Sequence, residues 1–140
     1  MIAGIDPGQR TGIAAIERGI IVHMSTSAPS AVRDILDRWY PRPSLVVFED
    51  SRTNTVYPRR GQNPRAMLRI ARSVGEIDQL CREIEETCAR LGIECIGVSP
   101  HRKGRKLNAK EFAAVTGWYG RSNQHERDAA MCAFRYLGRP

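Results

Sequence analysis

Four side chains in this 140-residue chain are of the types that hold a hard divalent cation: Asp6, Glu49, His125 and Asp128. Asp6 follows the apolar run from Ile2 to Ile5, and Glu49 follows the run from Leu45 to Phe48, so each acid stands at the end of a candidate strand. His125 and Asp128 are three residues apart and share one face of a helix if the stretch is helical. Carboxylate and water oxygens suit Mg²⁺, and a pair of such ions activates a water, aligns a scissile phosphate and stabilises the leaving 3′ oxygen. That is nuclease chemistry. In a chain this basic, acids at strand ends weaken phosphate binding unless a cation lies between acid and phosphate.

Each of these residues also has an ordinary structural role. Asp6 precedes Pro7-Gly8 and suits a turn, and the pair Glu49-Asp50 suits a solvated strand end. Strand alternation puts Glu49 on the face of Leu45 and Val47 and Asp50 on the face of Val46 and Phe48, so only one acid points into any one site. Periodicity does not decide which. His125 and Asp128 equally suit the amino-terminal end of a last helix, where they would cap it. The four together carry more weight than any one of them.

The positive charge is segregated. Residues 51–72 contribute Arg52, Arg59, Arg60, Arg65, Arg69 and Arg72 with no acid, and residues 99–110 contribute Arg102, Lys103, Arg105, Lys106 and Lys110, again with no acid. These eleven cations leave −4 on the remaining residues against +7 for the whole chain. A solubilising surface intersperses both signs, so two basic segments are expected to form the walls of a phosphate-binding groove, with solvated loops as the plainer alternative. Tyr57, Trp118 and Tyr119 lie near these segments, where they either stack on unpaired bases or serve in packing.

The elements that must position these groups follow from pattern. Ile2 to Asp6, Ile13 to Ile16 and Ile20 to His23 predict a three-strand antiparallel meander. Ser30 is the expected cap of a short helix through Val32, Ile35, Leu36 and Trp39, stopped by Pro41 and Pro43. Leu45 to Phe48 reads as a central strand buried on both faces, and residues 51–65 as a long loop. Met67, Ile70, Val74, Ile77, Cys81, Ile84, Cys88 and Leu91 recur at alternating spacings of 3 and 4, which predicts one helix over 66–91, roughly 39 Å long. Its seam suits a partner helix as well as a sheet. Gly92 ends it, Ile93 to Val98 reads as a strand, and helices are expected around Glu111 to Val115 and His125 to Leu137. Ala129, Ala130 and Ala133 give the last helix a face of small residues for close approach to a sheet.

Composition excludes several classes. The chain is 41% hydrophobic, enough for one core and too short for two large domains, so residues 1–140 are expected to form a single domain. A sequence pI near 9.7 favours a polyanionic partner, with nucleic acid ahead of a membrane. No run of 18 apolar residues occurs, and an acid and a proline interrupt the amino-terminal segment, so the expected location is cytoplasmic. Cys81, Cys88, Cys95 and Cys132 form no C-x-x-C pair and read as small core residues rather than disulfides.

The opening IAGIDPGQRTGIAAI, the strand LVVFED, the helix containing LRIARSVGEIDQL and the terminal HERDAAMCAF together resemble the RuvC Holliday-junction resolvases of the RNase H-like superfamily, and in length the smaller phage-type members. The resemblance covers nearly the whole chain. It implies an α/β fold, an RNase H-like mixed five-stranded sheet with helices on both faces. It further implies a homodimer acting on four-way junctions and other branched DNA in a bacterial or phage-infected cell, leaving 5′ phosphates and 3′ hydroxyls. The implied site is Asp6, Glu49, His125 and Asp128 around two Mg²⁺ ions, with Mn²⁺ as a substitute. Lys103, Lys106 and Lys110 stand in the segment that carries catalytic lysines in relatives. Where relatives often carry an aromatic wedge shortly after the central glutamate, this chain has Asp50-Ser51-Arg52, with Tyr57 further on.

Two other readings compete. One is an RNase H-like nuclease processing structured RNA, and the other is a non-catalytic junction-binding protein in which the acids are structural. The segment DPGQRTG also resembles the phosphate-binding turn of sugar-kinase and actin-like ATPases, whose second domain does not fit in 140 residues.

Overall fold

Five strands and four helices account for the regular structure of the computed structural model, which describes residues 1–53, 63–102 and 104–138. The strands are β1 (Ile2–Asp6), β2 (Thr11–Glu17), β3 (Ile20–Ser27), β4 (Leu45–Glu49) and β5 (Glu94–Val98). The helices are α1 (Val32–Arg38), α2 (Pro64–Leu91), α3 (Ala109–Thr116) and α4 (Gln124–Phe134). They build one mixed sheet in the order β3-β2-β1-β4-β5. β1, β2 and β3 form the expected antiparallel meander, while β4 and β5 run parallel to β1. The parallel half requires crossovers, and α1 and α2 supply them.

The sheet is covered on both faces. Ala3 and Ile5 of β1 and Val46 and Phe48 of β4 pack with Val32 and Leu36 of α1 and Leu80, Cys81, Ile84 and Cys88 of α2. On the opposite face, Ala14, Ile16 and Ile21 pack with Phe112 of α3 and Ala129, Ala130 and Ala133 of α4. Full burial of side chains such as Phe48 and Ile84 on the first face, and Ile16 and Phe112 on the second, contributes about 1.5–3 kcal/mol per residue.

The small-residue face of α4 does what its alanines predict. A Cβ added at Gly4 would collide with the Ala129 carbonyl, and one at Gly12 with the His125 carbonyl. The α4 backbone therefore touches β1 at Gly4 and β2 at Gly12.

Several boundaries differ from the sequence expectation. Ser30 does not cap α1: Pro29–Ala31 form a 3-10 turn, and α1 begins after Ala31 without a side-chain cap. Proline favours such a turn start, which places Ser30 upstream of the cap position. α2 begins at Pro64 rather than residue 66, because Asn63 accepts a hydrogen bond from the Arg65 amide and proline at the first helical position needs no acceptor. Gly92 closes α2 in the left-handed conformation at φ 70°.

The long seam of α2 divides. Its carboxyl-terminal half is buried against the sheet through Leu80, Cys81, Ile84, Thr87 and Cys88, whereas its amino-terminal half leaves Leu68 56% and Ile70 41% exposed. All four cysteines are free thiols, three of them buried. Among the described residues no helix is long and apolar enough to cross a membrane.

Candidate active site

Asp6 and Glu49 end adjacent parallel strands. Ile5 pairs with Phe48, so the two acids stand side by side one step further on, about 4.8 Å apart in strand spacing. Gly4 faces α4 and Val46 and Phe48 face α1 and α2, so alternation puts both Asp6 and Glu49 on the α4 side of the sheet.

Asp50 goes the other way. Its amide donates to the Val98 carbonyl at 2.8 Å, and its carboxylate accepts from Arg52 Nε and Nη2, both at 2.8 Å. The same guanidinium donates to both carboxylate oxygens of Glu85, at 2.9 and 2.5 Å. The hydrogen bonds from Arg52 hold the Asp50 carboxyl below the usual carboxylate range, and the carboxylates raise Arg52 in turn. The choice that strand alternation left open is thus resolved in geometry, with Glu49 on the α4 side and Asp50 tied to α2.

α4 brings the other two groups. Asn123 caps it, with its side chain accepting from the Glu126 amide and the Glu126 carboxylate accepting from the Asn123 amide. The capping role is filled, which frees His125 and Asp128 from it. His125 Nδ1 lies 3.5 Å from Asp6 Oδ2. Asp128 is only 4% exposed; its Oδ1 accepts from Gln124 Nε2 at 2.8 Å, and its Oδ2 lies 3.7 Å from Lys106 Nζ. Burying a carboxylate without such partners is costly.

Of the basic candidates, Lys106 reaches the site through Asp128, and Lys110 is exposed in the first turn of α3. Arg102 is exposed in the turn Pro100–Arg102, and Arg65 and Arg69 are exposed at the start of α2. Arg105 pairs with Glu111 and holds that carboxyl below its ordinary value. Arg52 is engaged by Asp50 and Glu85, so its charge is spent within the fold rather than offered to a phosphate. Tyr57, Arg59, Arg60 and Lys103 lie outside the described residues.

Two site residues escaped the sequence reading, Gln124 and Arg127. Gln124 bonds to Asp128, and Arg127 Nη2 donates to Gln124 Oε1 at 3.2 Å. The i, i+4 spacing of Gln124 and Asp128 was a signal for the first of these.

Among the described residues no three His, Cys, Asp or Glu side chains are gathered into a closed ligand set as they stand. The donor chemistry nonetheless fits a hard divalent ion. Asp6 and Glu49 end adjacent strands on the α4 side of the sheet, His125 reaches Asp6 from α4, and Asp128, on the same helix, is held by a lysine and an amide.

A scan against protein-family models gives no match, and no curated protein matches. Solved structures do. Thermus thermophilus RuvC in complex with a Holliday junction substrate is 18% identical, with a TM-score of 0.61 over 96% of this chain and 91% of that one. A second structure of T. thermophilus RuvC is 17% identical, with a TM-score of 0.59 over 96% of this chain and 92% of that one. At these identities the likeness is one of fold, and the chain has a RuvC-like fold of the RNase H-like class.

Proposed function

We propose that this protein is a structure-selective DNA endonuclease that resolves Holliday junctions by metal-dependent phosphodiester hydrolysis. The observation that carries this reading is the close approach of α4 to β1 and β2, which sets His125 3.5 Å from Asp6, the neighbour of Glu49 at the strand ends, in a fold similar to that of a junction-bound RuvC.

Asp6, Glu49 and Asp128 would supply carboxylate oxygens to two Mg²⁺ ions, for which Mn²⁺ would substitute, with His125 as a further ligand or a proton carrier. When bound, such ions lower the pKa of an attacking water and offset charge on the leaving 3′ oxygen. Asp6 orients the His125 ring through Nδ1, which leaves Nε2 to exchange a proton at the reacting phosphate. Gln124 and Lys106 fix the two oxygens of Asp128, and the Lys106 ammonium is close enough to compensate charge there. Arg65, Arg69, Arg102 and Lys110 present exposed cations for the DNA backbone. Lys103, Arg59, Arg60 and Tyr57 extend that set by sequence.

A homodimer fits this reading, because two-fold symmetry lets two sites nick opposing strands of a four-way junction. Leu68 and Ile70, exposed apolar side chains among the arginines of the amino-terminal half of α2, are where a second copy would pack.

Cleavage of a labelled immobile four-way junction, beside linear duplex and a fork, with Mg²⁺, Mn²⁺ or EDTA, tests the proposal. Paired symmetric nicks on the junction in Mg²⁺ alone or Mn²⁺ alone, and none in EDTA, are expected. Binding without any cut under every divalent ion would replace the enzyme with a junction-binding protein.

A further inference from the structure

Along α4, the face that carries Asp128 continues through Met131 and Arg135. Beneath the basic segment that precedes α3 it encloses a cavity of about 170 Å³, lined among the described residues by Arg105, Leu107, Arg127, Asp128, Met131 and Arg135. That is several times the roughly 30 Å³ a water molecule occupies, so a tetrahedral oxyanion has room. With Arg105 already paired to Glu111, Arg127 and Arg135 still outnumber the one carboxylate, so the lining is positive.

Arg127 distinguishes this cavity from a loose basic patch. Its Nε donates to the Leu107 carbonyl at 3.0 Å, its Nη1 to the Ser122 carbonyl at 2.9 Å and to Ser122 Oγ at 3.0 Å, and its Nη2 to Gln124 Oε1 at 3.2 Å. All four acceptors are neutral. The guanidinium is therefore fixed in orientation while its charge stays uncompensated by any of them, and among the described residues these bonds use four of its five donors, leaving one on Nη2. Arg52 is the opposite case, with its charge spent on two carboxylates. Arg127 and Arg135 also secure the roof, the first through the Leu107 carbonyl and the second through the Arg102 carbonyl. A cation ordered before its ligand arrives loses little freedom on binding, and the apolar walls of Leu107 and Met131 strengthen its field.

We propose that this cavity seats a backbone phosphate of the DNA strand, the neighbour of the phosphate at Asp128, with Arg127 and Arg135 as its cations. The inference rests on the nuclease reading and adds a subsite to it. Gln124 links the two positions: the amide that accepts from Arg127 donates to Asp128, so an anion held by Arg127 bears on the orientation of that carboxylate.

Two measurements test this. In the first, inorganic phosphate is titrated into the whole protein at constant ionic strength while arginine Nε–H resonances are followed by NMR. The Arg127 resonance should shift and saturate, and Arg135→Gln, a change at an exposed side chain, should weaken phosphate by about fivefold. In the second, four-way junctions carrying a single neutral methylphosphonate, moved linkage by linkage around the crossover, are bound in Ca²⁺. One linkage should cost the wild type about fivefold in affinity and cost Arg135→Gln little more. An Arg127 resonance indifferent to phosphate overturns the subsite. A saturable shift with no sensitive linkage makes it a free-anion site and overturns the DNA assignment. A sensitive linkage on a junction that is never cut in Mg²⁺ upholds the subsite and sinks the nuclease reading.

Discussion

The two faces of the sheet are built on different distances. On one, α2 is held off by Phe48, Leu80 and Ile84, large side chains that fill a layer between helix and strands. On the other, α4 meets β1 and β2 through Gly4, Gly12, Ala129 and Ala133, so that backbone touches backbone. The consecutive acids Glu49 and Asp50 end on opposite faces and have opposite fates. Asp50 is closed into an ion-pair network with Arg52 and Glu85, whereas Glu49 joins Asp6 on the face that α4 approaches closely enough to add His125 and Asp128. Close packing by small residues is what lets a helix contribute short side chains to a site at the strand ends.

Exchanging one acid at a time breaks this comparison most sharply. Asp6→Asn or Glu49→Gln is expected to lower junction cleavage on the order of 10²–10³-fold, the loss typical when one preorganised group at a reacting centre is removed. Junction binding in Ca²⁺ should survive. Asp50→Asn should leave the cleavage rate nearly unchanged, and equal losses at Glu49 and Asp50 would dissolve the distinction between the faces.

Pushing α4 away comes next. Gly4→Ala forces a methyl group against the Ala129 carbonyl and should cost about 1–3 kcal/mol in urea unfolding. Cleavage should fall with it, because His125 and Asp128 ride on the displaced helix.

The closed face has a pH signature. Arg52→Met should destabilise the fold by about 1–2 kcal/mol near neutral pH, allowing for the partial exposure of the pair. Asp50 has a folded pKa below its unfolded value of about 3.9, so its contribution is complete above that value and is lost as pH falls through the folded one. The difference in stability between wild type and Arg52→Met should therefore be full at neutral pH and close below about pH 4. A gap that persists undiminished in acid would mean the arginine acts by packing alone. The smallest effect is expected from Asn123→Ala, which removes the α4 cap and should cost about 1 kcal/mol in thermal or urea unfolding.

Much of the fold was legible because its signals are local. The meander, the strand at Leu45–Glu49 and the seam of α2 each follow from period and turn chemistry over a few residues. The boundary errors at Ser30 and Pro64 are also local, arising where a proline shifts the start of a helix. The candidate acids were legible as strand ends and as an i, i+3 pair. The choice between Glu49 and Asp50 was not, because both alternating sets of β4 are apolar and a strand buried on both faces carries no label for either. Arg52 reads from sequence as a cation of a DNA wall because its partner Glu85 lies 33 residues away, on a helix whose rotation no local pattern specifies.

By itself, then, the order of residues determined which stretches become strands and helices, where the basic segments fall, and that acids would stand at the ends of β1 and β4. Only the tertiary structure decided which acid faces α4, that Lys106 and Gln124 hold Asp128, and that Arg127 is fixed beside it by neutral acceptors. The physical reason is range. Secondary structure answers to neighbours within a few positions, whereas the charge state and orientation of a side chain answer to whatever the fold brings within a few ångströms, however distant in the chain.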